Sequence, residues 1–264
     1  MNTVLCIDRK SPGMEVKARQ AAFVNRFAEG CNGQLISAVE AFEYPVDYPI
    51  VVRGMKFTNW VKMAMAQGRD FYYIDNGYFG NQFNKTYFRI IKNNVHDTRD
   101  IIERPADRLP PHLEIKKFTP GKKILLAPPS TKSFTMWDID QSKWIADTIA
   151  EIKKYTDRPI VIREKRPRSE RLKEDTMEQA LDNDVHCLVT YNSVSAVEAV
   201  MLGKPAITLG PNAAGVVCSN SLSEIENPYI PSYDERDAWL RHLSYCQFTF
   251  TEMSDGTAWR ILNG

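Results

Sequence analysis

The segment Tyr191-Asn-Ser-Val-Ser195 has the residue types and the placement that a phosphate site needs. It follows the apolar run 186–190, which predicts a buried strand, and it leads directly into a helical pattern. The hydroxyls of Ser193 and Ser195 and the amide of Ala196 would then lie at a helix start, where free N–H groups and the helix dipole favour an anion. The segment is therefore the first candidate for a phosphate cradle.

A purely structural interpretation fits the same residues. Ser195-Ala-Val-Glu198 has the S-x-x-E spacing of a capping box, in which the glutamate side chain reaches back to the start of the helix. The local pattern does not decide between a helix cap and a ligand site, so both interpretations stay open.

A second loop offers small hydroxyl groups together with a cation. Pro128-Pro-Ser-Thr-Lys-Ser133 follows the strand predicted at 123–127. Its residues Ser130, Thr131 and Lys132 suit a diphosphate, because the hydroxyls donate hydrogen bonds and the ammonium group offsets charge. A plain proline-rich turn would look the same. The loop lacks the glycines of a Walker loop, so it does not indicate an ATPase.

A third loop carries basic residues. Arg163 and Lys165 lie nearest the end of the strand predicted at 159–163, and we take them as candidates for binding phosphate. The rest of the basic run 163–173 fits a solvated face, a clamp on the same ligand or a contact to a nucleic-acid backbone.

A carboxylate that deprotonates a hydroxyl group is sought in the first half of the chain. Asp75 ends the apolar strand predicted at 71–74, where an α/β sheet presents its active groups, although Asp-Asn-Gly is also a turn-forming sequence. Asp8, at the end of the first predicted strand, is the second candidate. His96 and Asp97 are the third.

The elements that would position these groups form two halves. Segment 104–121 holds four prolines and a glycine, which predicts a linker between an N-terminal α/β domain, 1–115, and a C-terminal one, 120–264. In the second half strands and helices alternate through short turns, which predicts a parallel, doubly wound sheet with its ligand at the carboxyl ends of the strands. The predicted strands are 4–7, 34–37, 50–52, 71–74, 123–127, 159–163, 186–190 and 206–209, and the predicted helices are 15–28, 58–67, 141–155, 176–183 and 195–202.

Bulk composition limits the class of protein. The chain has 264 residues, of which 43% are hydrophobic and 25% charged, and these proportions are typical of a globular protein. Its net charge of +1 gives no global field for a polyanion. Five cysteines without a CxxC pair indicate reduced thiols, and the chain shows neither a signal peptide nor an apolar run long enough to span a membrane. We therefore expect a cytoplasmic protein without a transmembrane segment.

The stretch Asn192-Ser-Val-Ser-Ala-Val-Glu-Ala-Val-Met-Leu-Gly-Lys-Pro-Ala-Ile207 resembles the donor site of GT-B glycosyltransferases, above all capsule- and lipopolysaccharide-type members. The resemblance implies an α/β fold of two Rossmann-like domains with a ligand cleft between them. It also implies that Ser193 and Ser195 bind the donor phosphates, that Glu198 binds the donor ribose and that Asn192 belongs to the same donor site. Sugar-nucleotide epimerases of the same fold carry a similar stretch.

Two other segments bear on this resemblance. Residues 239–259 are similar to the closing helices of the same transferases, which implies a packing role, and Gly203-Lys-Pro205 would be a structural turn. Some capsule-type transferases have a His-Pro pair near the basic loop, where this chain has Lys165-Arg166-Pro167. That departure leaves the identity of the donor open.

The function expected from the resemblance is transfer of a sugar from a nucleotide-activated donor to a hydroxyl group. We expect no metal and no cofactor besides the nucleotide sugar, because the helix dipole and basic side chains would stabilise the leaving group and Asp138-Ile-Asp140 is not placed as a DxD metal motif. The compact length suggests a phage-encoded enzyme of the host cytoplasm whose acceptor is a hydroxymethylated pyrimidine in DNA. The alternatives are a capsule- or lipopolysaccharide-type glycan acceptor, a sugar-nucleotide epimerase and a non-catalytic nucleotide-sugar-binding protein.

Overall fold

The structure is a computed structural model that describes residues 2–14, 18–81, 86–164 and 176–264. It is a mixed α/β fold with one six-stranded and one four-stranded sheet in its described part. The chain divides into two compact units: unit 1 comprises Met1–Asp97 and Ser244–Gly264, and unit 2 comprises Thr98–Leu243. Within the described ranges, no helix is long and apolar enough to cross a membrane.

Unit 1 is built on a mixed sheet. Its elements are β1 (Leu5–Arg9), α1 (Ala18–Cys31), β2 (Gln34–Ser37), α2 (Ala38–Ala41), β3 (Ile50–Arg53), α3 (Thr58–Ala66), β4 (Phe71–Asn76) and β5 (Phe88–Lys92). The strand order is β10-β5-β4-β3-β1-β2, where β10 is Gln247–Phe248. Strands β1 to β4 run parallel, whereas β5 and β10 pair antiparallel.

The two faces of strand β4 carry different kinds of side chain. Because side chains alternate along a strand, Tyr72 and Ile74 lie on one face and Tyr73 and Asp75 on the other. Tyr72 and Ile74 belong to an apolar cluster with Phe27 of α1. The face that carries Tyr72 and Ile74 thus packs against an apolar cluster, whereas the other face carries the carboxylate of Asp75.

The C-terminal tail belongs to unit 1, so the division differs from the predicted domains 1–115 and 120–264. Helices α9 (Phe250–Ser254) and α10 (Thr257–Asn263) pack against α1, and β10 pairs with β5. A Cβ on Gly30 of α1 would collide with the carbonyl of Met253, so the glycine permits the close approach of α9. The sequence resemblance implied a packing role for the tail but not the partner of that packing.

Unit 2 contains the parallel sheet predicted for the second half, and this prediction is confirmed. Its elements are β6 (Lys123–Leu126), α4 (Thr131–Met136), α5 (Gln141–Ile152), β7 (Ile160–Ile162), α6 (Met177–Asp182), β8 (Val185–Thr190), α7 (Ser195–Met201), β9 (Ala206–Thr208) and α8 (Tyr233–Ser244, ending in unit 1). The strand order is β7-β6-β8-β9, all parallel. Apolar side chains of β6, β8 and β9 pack with Ile152 and Ile225 to form its core.

The proline-rich segment predicted as a linker is attached to unit 2. The amides of Lys116 and Thr119 donate to the carbonyls of Met201 and Gly203, at 3.0 and 3.1 Å. Gly203 has a φ of 76°, and a Cβ there would collide with the carbonyl of Lys117. The predicted structural turn at 203–205 is therefore confirmed, because only glycine tolerates both the left-handed backbone and the contact.

The arrangement of two Rossmann-like domains, as implied by the sequence resemblance, stays a prediction.

Candidate functional site

The strand order of unit 2 has a switch point between β6 and β8. From β6 the chain moves outward to β7 and then returns to the other side of β6 with β8. The loops after β6 and β8 therefore lead away in opposite directions, and in open α/β sheets this switch point at the carboxyl ends is where ligands bind.

Two hydrogen bonds join these loops at the switch point. The Thr190 hydroxyl donates to the carbonyl of Ala127, at 2.6 Å, and the Ser133 hydroxyl donates to Oδ1 of Asn192, at 2.8 Å. A third bond brings in the loop after β9, because Nδ2 of Asn212 donates to the carbonyl of Ser193, at 3.0 Å. The loops after β6, β8 and β9 thus form one hydrogen-bonded edge, and the first two of them are loops singled out from the sequence.

The capping box considered for α7 does not form. The residue before the helix is Val194, which makes no side-chain cap, and the amide of Ser195 donates instead to the Ser193 hydroxyl, at 3.3 Å. The Ser195 hydroxyl is buried, with 3% of the residue exposed, and it has no hydrogen-bond partner among the described residues. Glu198 lies half-buried in the first turn of α7. The structural interpretation of Ser195 is therefore wrong, since the helix starts without its help.

Asn192 is the second buried polar group of this edge. Only 2% of it is exposed, and while Oδ1 accepts the Ser133 hydroxyl, Nδ2 finds no partner in the described part of the chain. A buried polar group left without a partner costs about 1–3 kcal/mol, so native proteins rarely keep one without a reason. Two such groups in one loop at the switch point indicate a place where a ligand supplies the missing partners.

The loop after β6 contributes through a different residue from those predicted. Ser130 precedes α4 without capping it through its side chain, and the exposed Thr131 already donates its hydroxyl to Oε1 of Gln141, at 2.7 Å. Lys132 is exposed in the first turn of α4. The predicted turn is thus a helix start, and Ser133 is the residue that reaches Asn192.

Arg163 follows β7 beside the same edge. Its amide donates to the carbonyl of Leu126 in β6, at 2.8 Å, and its side chain is half-buried. Lys165 lies outside the described residues.

An aromatic cluster supports the loop after β8, and sequence reasoning missed it. The ring of Tyr191 lies so close to Gly210 that a Cβ there would stand 2.5 Å from Cζ. Burial raises the pKa of Tyr191. Its other ring neighbours are Phe134, Trp144 and Trp137, with centroids 6.0, 6.3 and 6.5 Å away. Tyr191 lies within the segment first singled out, but its partners come from α4, from the residue that follows α4 and from α5, and no local pattern connects them.

In unit 1, Asp75 does not lie in a turn. Strand β4 continues through Asn76, and Asp75 pairs with Arg89 of β5, so the predicted turn at 75–77 is wrong. Oδ2 of Asp75 accepts the Tyr73 hydroxyl at 2.9 Å and faces Nη2 of Arg89 at 3.5 Å. Oδ1 accepts the amide of Asn76 at 2.8 Å. The carboxylate is thus held on both oxygens, with a quarter of its side chain still exposed.

The partner of Asp75, Arg89, is a buried cation that the sequence did not reveal. Its residue is 4% exposed, and its Nε and Nη1 donate to the carbonyls of Val95 and Asn76, at 3.2 and 2.9 Å. Burial is the largest single effect and opposes its charge, but Asp75, Tyr78 and Tyr73 together outweigh burial and raise the pKa of Arg89. Burial, followed by the charge of Asp75, raises the pKa of Tyr73. An arginine opposite Asp75 on the neighbouring strand could have indicated this ion pair in the sequence. It was missed because β5, the strand that carries Arg89, was not predicted.

The other candidates of unit 1 are not brought to Asp75. Asp8 lies in β1 and accepts from Nη1 of Arg9, at 2.7 Å. Strand β3 separates β1 from β4, which places the two backbones about 10 Å apart. His96 and Asp97 are each 3% exposed, and Oδ2 of Asp97 accepts the Cys246 thiol at 2.8 Å. Both are therefore part of the interior.

Comparison with known proteins shows a likeness of fold alone. No protein-family profile and no curated protein matches the sequence. Among solved structures, the chain is similar to Thermosulfurimonas dismutans KpsC, beta Kdo 2,7 transferase, with a TM-score of 0.53 and 11% identity over 94% of this chain and 92% of that one. Thermosulfurimonas dismutans KpsC, beta Kdo 2,4 transferase, gives a TM-score of 0.49 and 12% identity over the same shares. The chain thus has a glycosyltransferase-like α/β fold.

Proposed function

We propose that this protein is a glycosyltransferase that moves a sugar from a nucleotide-activated donor to a hydroxyl group of a glycan. In the proposal unit 2 binds the donor and unit 1 carries the base that activates the acceptor, as the GT-B resemblance implies for two Rossmann-like domains.

The observation that carries the donor half is the pair of unpartnered groups at the switch point of unit 2. Nδ2 of Asn192 is a donor, and the Ser195 hydroxyl can donate as well, so both suit the oxygens of a phosphate. Arg163 adds a cation beside the same edge. Charge that develops on the departing nucleotide would be stabilised by these fixed groups, so the proposed reaction needs no metal.

Glu198 is proposed to hold the ribose of the donor. It lies one turn of α7 beyond the loop that carries Ser193 and Ser195, in the position that the resemblance assigns to the ribose contact. A carboxylate suits this role because it accepts hydrogen bonds from two neighbouring hydroxyl groups.

The acceptor half rests on Asp75. An inverting transfer needs one group that accepts the proton of the attacking hydroxyl, and a carboxylate oriented by Tyr73 and Arg89 at the end of a parallel strand suits that role. Asp8 is the second candidate, because it is the penultimate residue of β1, beside the switch point of the unit 1 sheet.

A glycan is favoured over DNA as the acceptor. The fold neighbour is named as a transferase of Kdo, a sugar, which supports the capsule- or lipopolysaccharide-type alternative. The DNA acceptor expected from the compact length finds no support in the fold, and the net charge of +1 supplies no general attraction for a polyanion.

A thermal-shift screen against UDP-, GDP- and CMP-sugars tests the donor half. A donor present at 100 times its Kd stabilises the folded protein by about 2.7 kcal/mol, so the melting temperature should rise with one nucleotide class and less with the others. No shift with any of them would contradict the proposal.

A transfer assay separates the proposed reaction from its rivals. With the stabilising donor and a set of oligosaccharides, a transferase yields an acceptor heavier by one sugar, and this yield should survive a chelator. An epimerase changes the donor without an acceptor, a binding protein changes nothing, and a DNA-modifying enzyme labels hydroxymethylated DNA instead.

A further inference from the structure

Two thiols of unit 1 lie against each other where α1 meets β1. The Cys31 thiol donates to the carbonyl of Ala28, at 3.9 Å, and the neighbouring Cys6 thiol interacts with the Cys31 sulfur. A Cβ built on Gly33 would lie 2.8 Å from the Cys6 sulfur and 3.0 Å from the Cys31 sulfur. The two sulfurs thus flank one point above Gly33, and the absence of a side chain there leaves room for both.

The fold fixes the positions of both thiols. Cys6 lies in the middle of the buried strand β1 and pairs on both sides, with β2 and with β3. Cys31 ends α1, where Asn32 adopts a φ of 51° and the amide of Gly33 donates to the carbonyl of Ala28, at 2.8 Å. This is a Schellman-type helix end, so the Cys31 thiol is anchored to a defined backbone and does not depend on a loop.

The two thiols differ in exposure and acidity. Cys31 is partly exposed, whereas Cys6 is fully buried. A hydrogen bond from the Cys6 thiol is the largest effect on Cys31 and lowers its pKa. Burial raises that pKa, whereas a hydrogen bond from the Gly33 amide lowers it. The same hydrogen bond between the two thiols is the largest effect that raises the pKa of Cys6, and burial raises it further. A partly exposed thiol with a lowered pKa beside a second thiol is the arrangement of a reacting and a resolving cysteine.

We propose that Cys6 and Cys31 are a redox-modification site that forms a reversible disulfide when the protein meets a peroxide. The Cys31 thiolate attacks one oxygen of hydrogen peroxide, the O–O bond breaks, and Cys31 becomes a sulfenic acid while hydroxide leaves and takes up a proton to form water. The Cys6 sulfur then attacks the Cys31 sulfur, the S–O bond breaks, and the S–S bond forms with release of a second water. The two sulfurs are oxidised and the peroxide is reduced.

The other cysteines supply matched controls within the same chain. Cys187 and Cys218 interact electrostatically in unit 2, but burial is the main cause that raises the pKa of each, to about 11 for Cys218. Cys246 donates its thiol to Asp97. If Cys6 and Cys31 were only two small apolar side chains packed together, they would resist oxidation as these buried thiols do.

The decisive measurement is peptide mapping of the full-length protein after brief treatment with hydrogen peroxide. The native protein is quenched, unfolded, alkylated with N-ethylmaleimide and digested. We expect a cross-linked pair of peptides carrying Cys6 and Cys31, lighter by two hydrogen atoms than the reduced pair, and restored by dithiothreitol. Cys187, Cys218 and Cys246 should stay alkylatable.

Single substitutions assign the order of events. In Cys6→Ser the sulfenic acid on Cys31 should persist and react with dimedone, whereas in Cys31→Ser the buried Cys6 should stay reduced. Circular dichroism controls for folding, and Cys6→Ala replaces the serine variant if the buried hydroxyl disturbs β1.

The pH dependence of alkylation is a second readout. In the native protein the rate for Cys31 should reach its plateau at a lower pH than for free cysteine, whose pKa is about 8.5, because the thiolate forms earlier.

The proposal is overturned if Cys31 in the wild-type protein takes up oxygen without forming the cross-link, or if both thiols stay reduced where the unfolded chain is oxidised. Neither readout uses sugar transfer, so failure here and failure of the proposed function are distinguishable.

Discussion

At the scale of single residues, the candidate site depends on buried polar groups that have no hydrogen-bond partner among the described residues. Ser195 was visible in the sequence, but its role was not, because S-x-x-E predicts a cap as readily as a ligand contact. The structure separates the two: the Ser195 hydroxyl does not cap α7, and it stays buried without a partner in the described ranges. Burial without a partner depends on the tertiary fold, so no local pattern predicts it.

Ser195→Ala should weaken donor binding without weakening the fold. The lost hydroxyl makes no described bond in the free protein, so the free energy of unfolding should stay the same or rise. A lost hydrogen bond to a charged phosphate is worth about 1.5–3 kcal/mol, which corresponds to roughly 10- to 100-fold in Kd. Isothermal titration with the donor measures this change.

Thr208→Val is the matched control for Ser195→Ala. The Thr208 hydroxyl is also buried in unit 2, but it donates to Oδ1 of Asn220, at 2.9 Å. Its removal should lower the free energy of unfolding and leave the Kd unchanged. If both variants instead lose stability and keep the Kd, Ser195 is not a ligand contact.

Asn192→Asp should weaken donor binding more than Ser195→Ala does. The carboxylate still accepts the Ser133 hydroxyl, so the link between the two loops survives. It replaces the unpartnered donor with a negative oxygen, which repels a phosphate. Isothermal titration at increasing salt checks the cause, because part of the loss should disappear as the repulsion is screened. An equal loss for the two variants would contradict a charged ligand at this position.

Tyr73→Phe tests Asp75 more cleanly than a change of Asp75 itself. Removing the Asp75 carboxylate would leave Arg89 as an uncompensated buried charge, so lost activity and lost folding could not be separated. Removing only the Tyr73 hydroxyl frees Oδ2 from one of its two contacts. We expect kcat to fall about tenfold with little change in the KM of the acceptor, measured in the transfer assay.

Tyr72→Phe is the control on the opposite face of β4, where the hydroxyl donates to Oδ1 of Asn263. It should alter stability but leave kcat unchanged. Equal effects of the two variants on kcat would mean that the Tyr73 hydroxyl acts only through the stability of the sheet.

At the scale of elements, the sequence predicted the regular parts of both sheets and missed those made by distant pairing. Apolar runs gave β3, β4, β6 and β8 to within two residues at either end. Strand β5 has a charged residue at its second and last positions, and β10 has only two residues, so neither shows a periodic pattern. Helix α4 begins one residue after the pair Pro128-Pro129, and such a proline pair predicts a loop.

Gly203→Ala should destabilise the turn at 203–205 that precedes β9. The alanine would need a left-handed backbone and would press on the carbonyl of Lys117. Gly68→Ala is the matched control, because Gly68 has a similar φ of 63° with open space around it. Overpacking costs about 1–3 kcal/mol, so Gly203→Ala should lose that much more than Gly68→Ala in the free energy of unfolding, measured by denaturant titration. Equal losses would show that the contact is relieved at no cost.

At the scale of the whole molecule, the chain leaves unit 1, builds unit 2 and returns. The sequence predicted two α/β parts but assigned the tail to the second, because neighbours in sequence are neighbours in space more often than not. The pairing of β10 with β5 and the packing of α9 on α1 reverse that assignment. The candidate site of unit 2 was predicted better than the fold of the tail, because its loops follow strands that are neighbours in one parallel sheet.

Deletion of residues 245–264 should therefore destabilise unit 1. It removes the buried Phe248, Met253 and Ala258 from the apolar cluster that includes Phe27. Each large apolar side chain contributes about 1.5–3 kcal/mol when buried, so the loss amounts to several kcal/mol. Hydrogen exchange should show loss of protection in β1 and α1 while β6 and β8 keep theirs. Deletion of the exposed Gly264 alone is the control, and a uniform loss across both units would contradict the division.

Hydrogen exchange of the intact protein with and without its stabilising sugar nucleotide shows where in the fold the donor binds. We expect new protection in the loops after β6, β8 and β9, at 128–134, 191–196 and 210–215, and a smaller change in the Ser195→Ala variant. Protection confined to other parts of the chain, or no protection by any sugar nucleotide, would contradict a donor site at the carboxyl edge of unit 2.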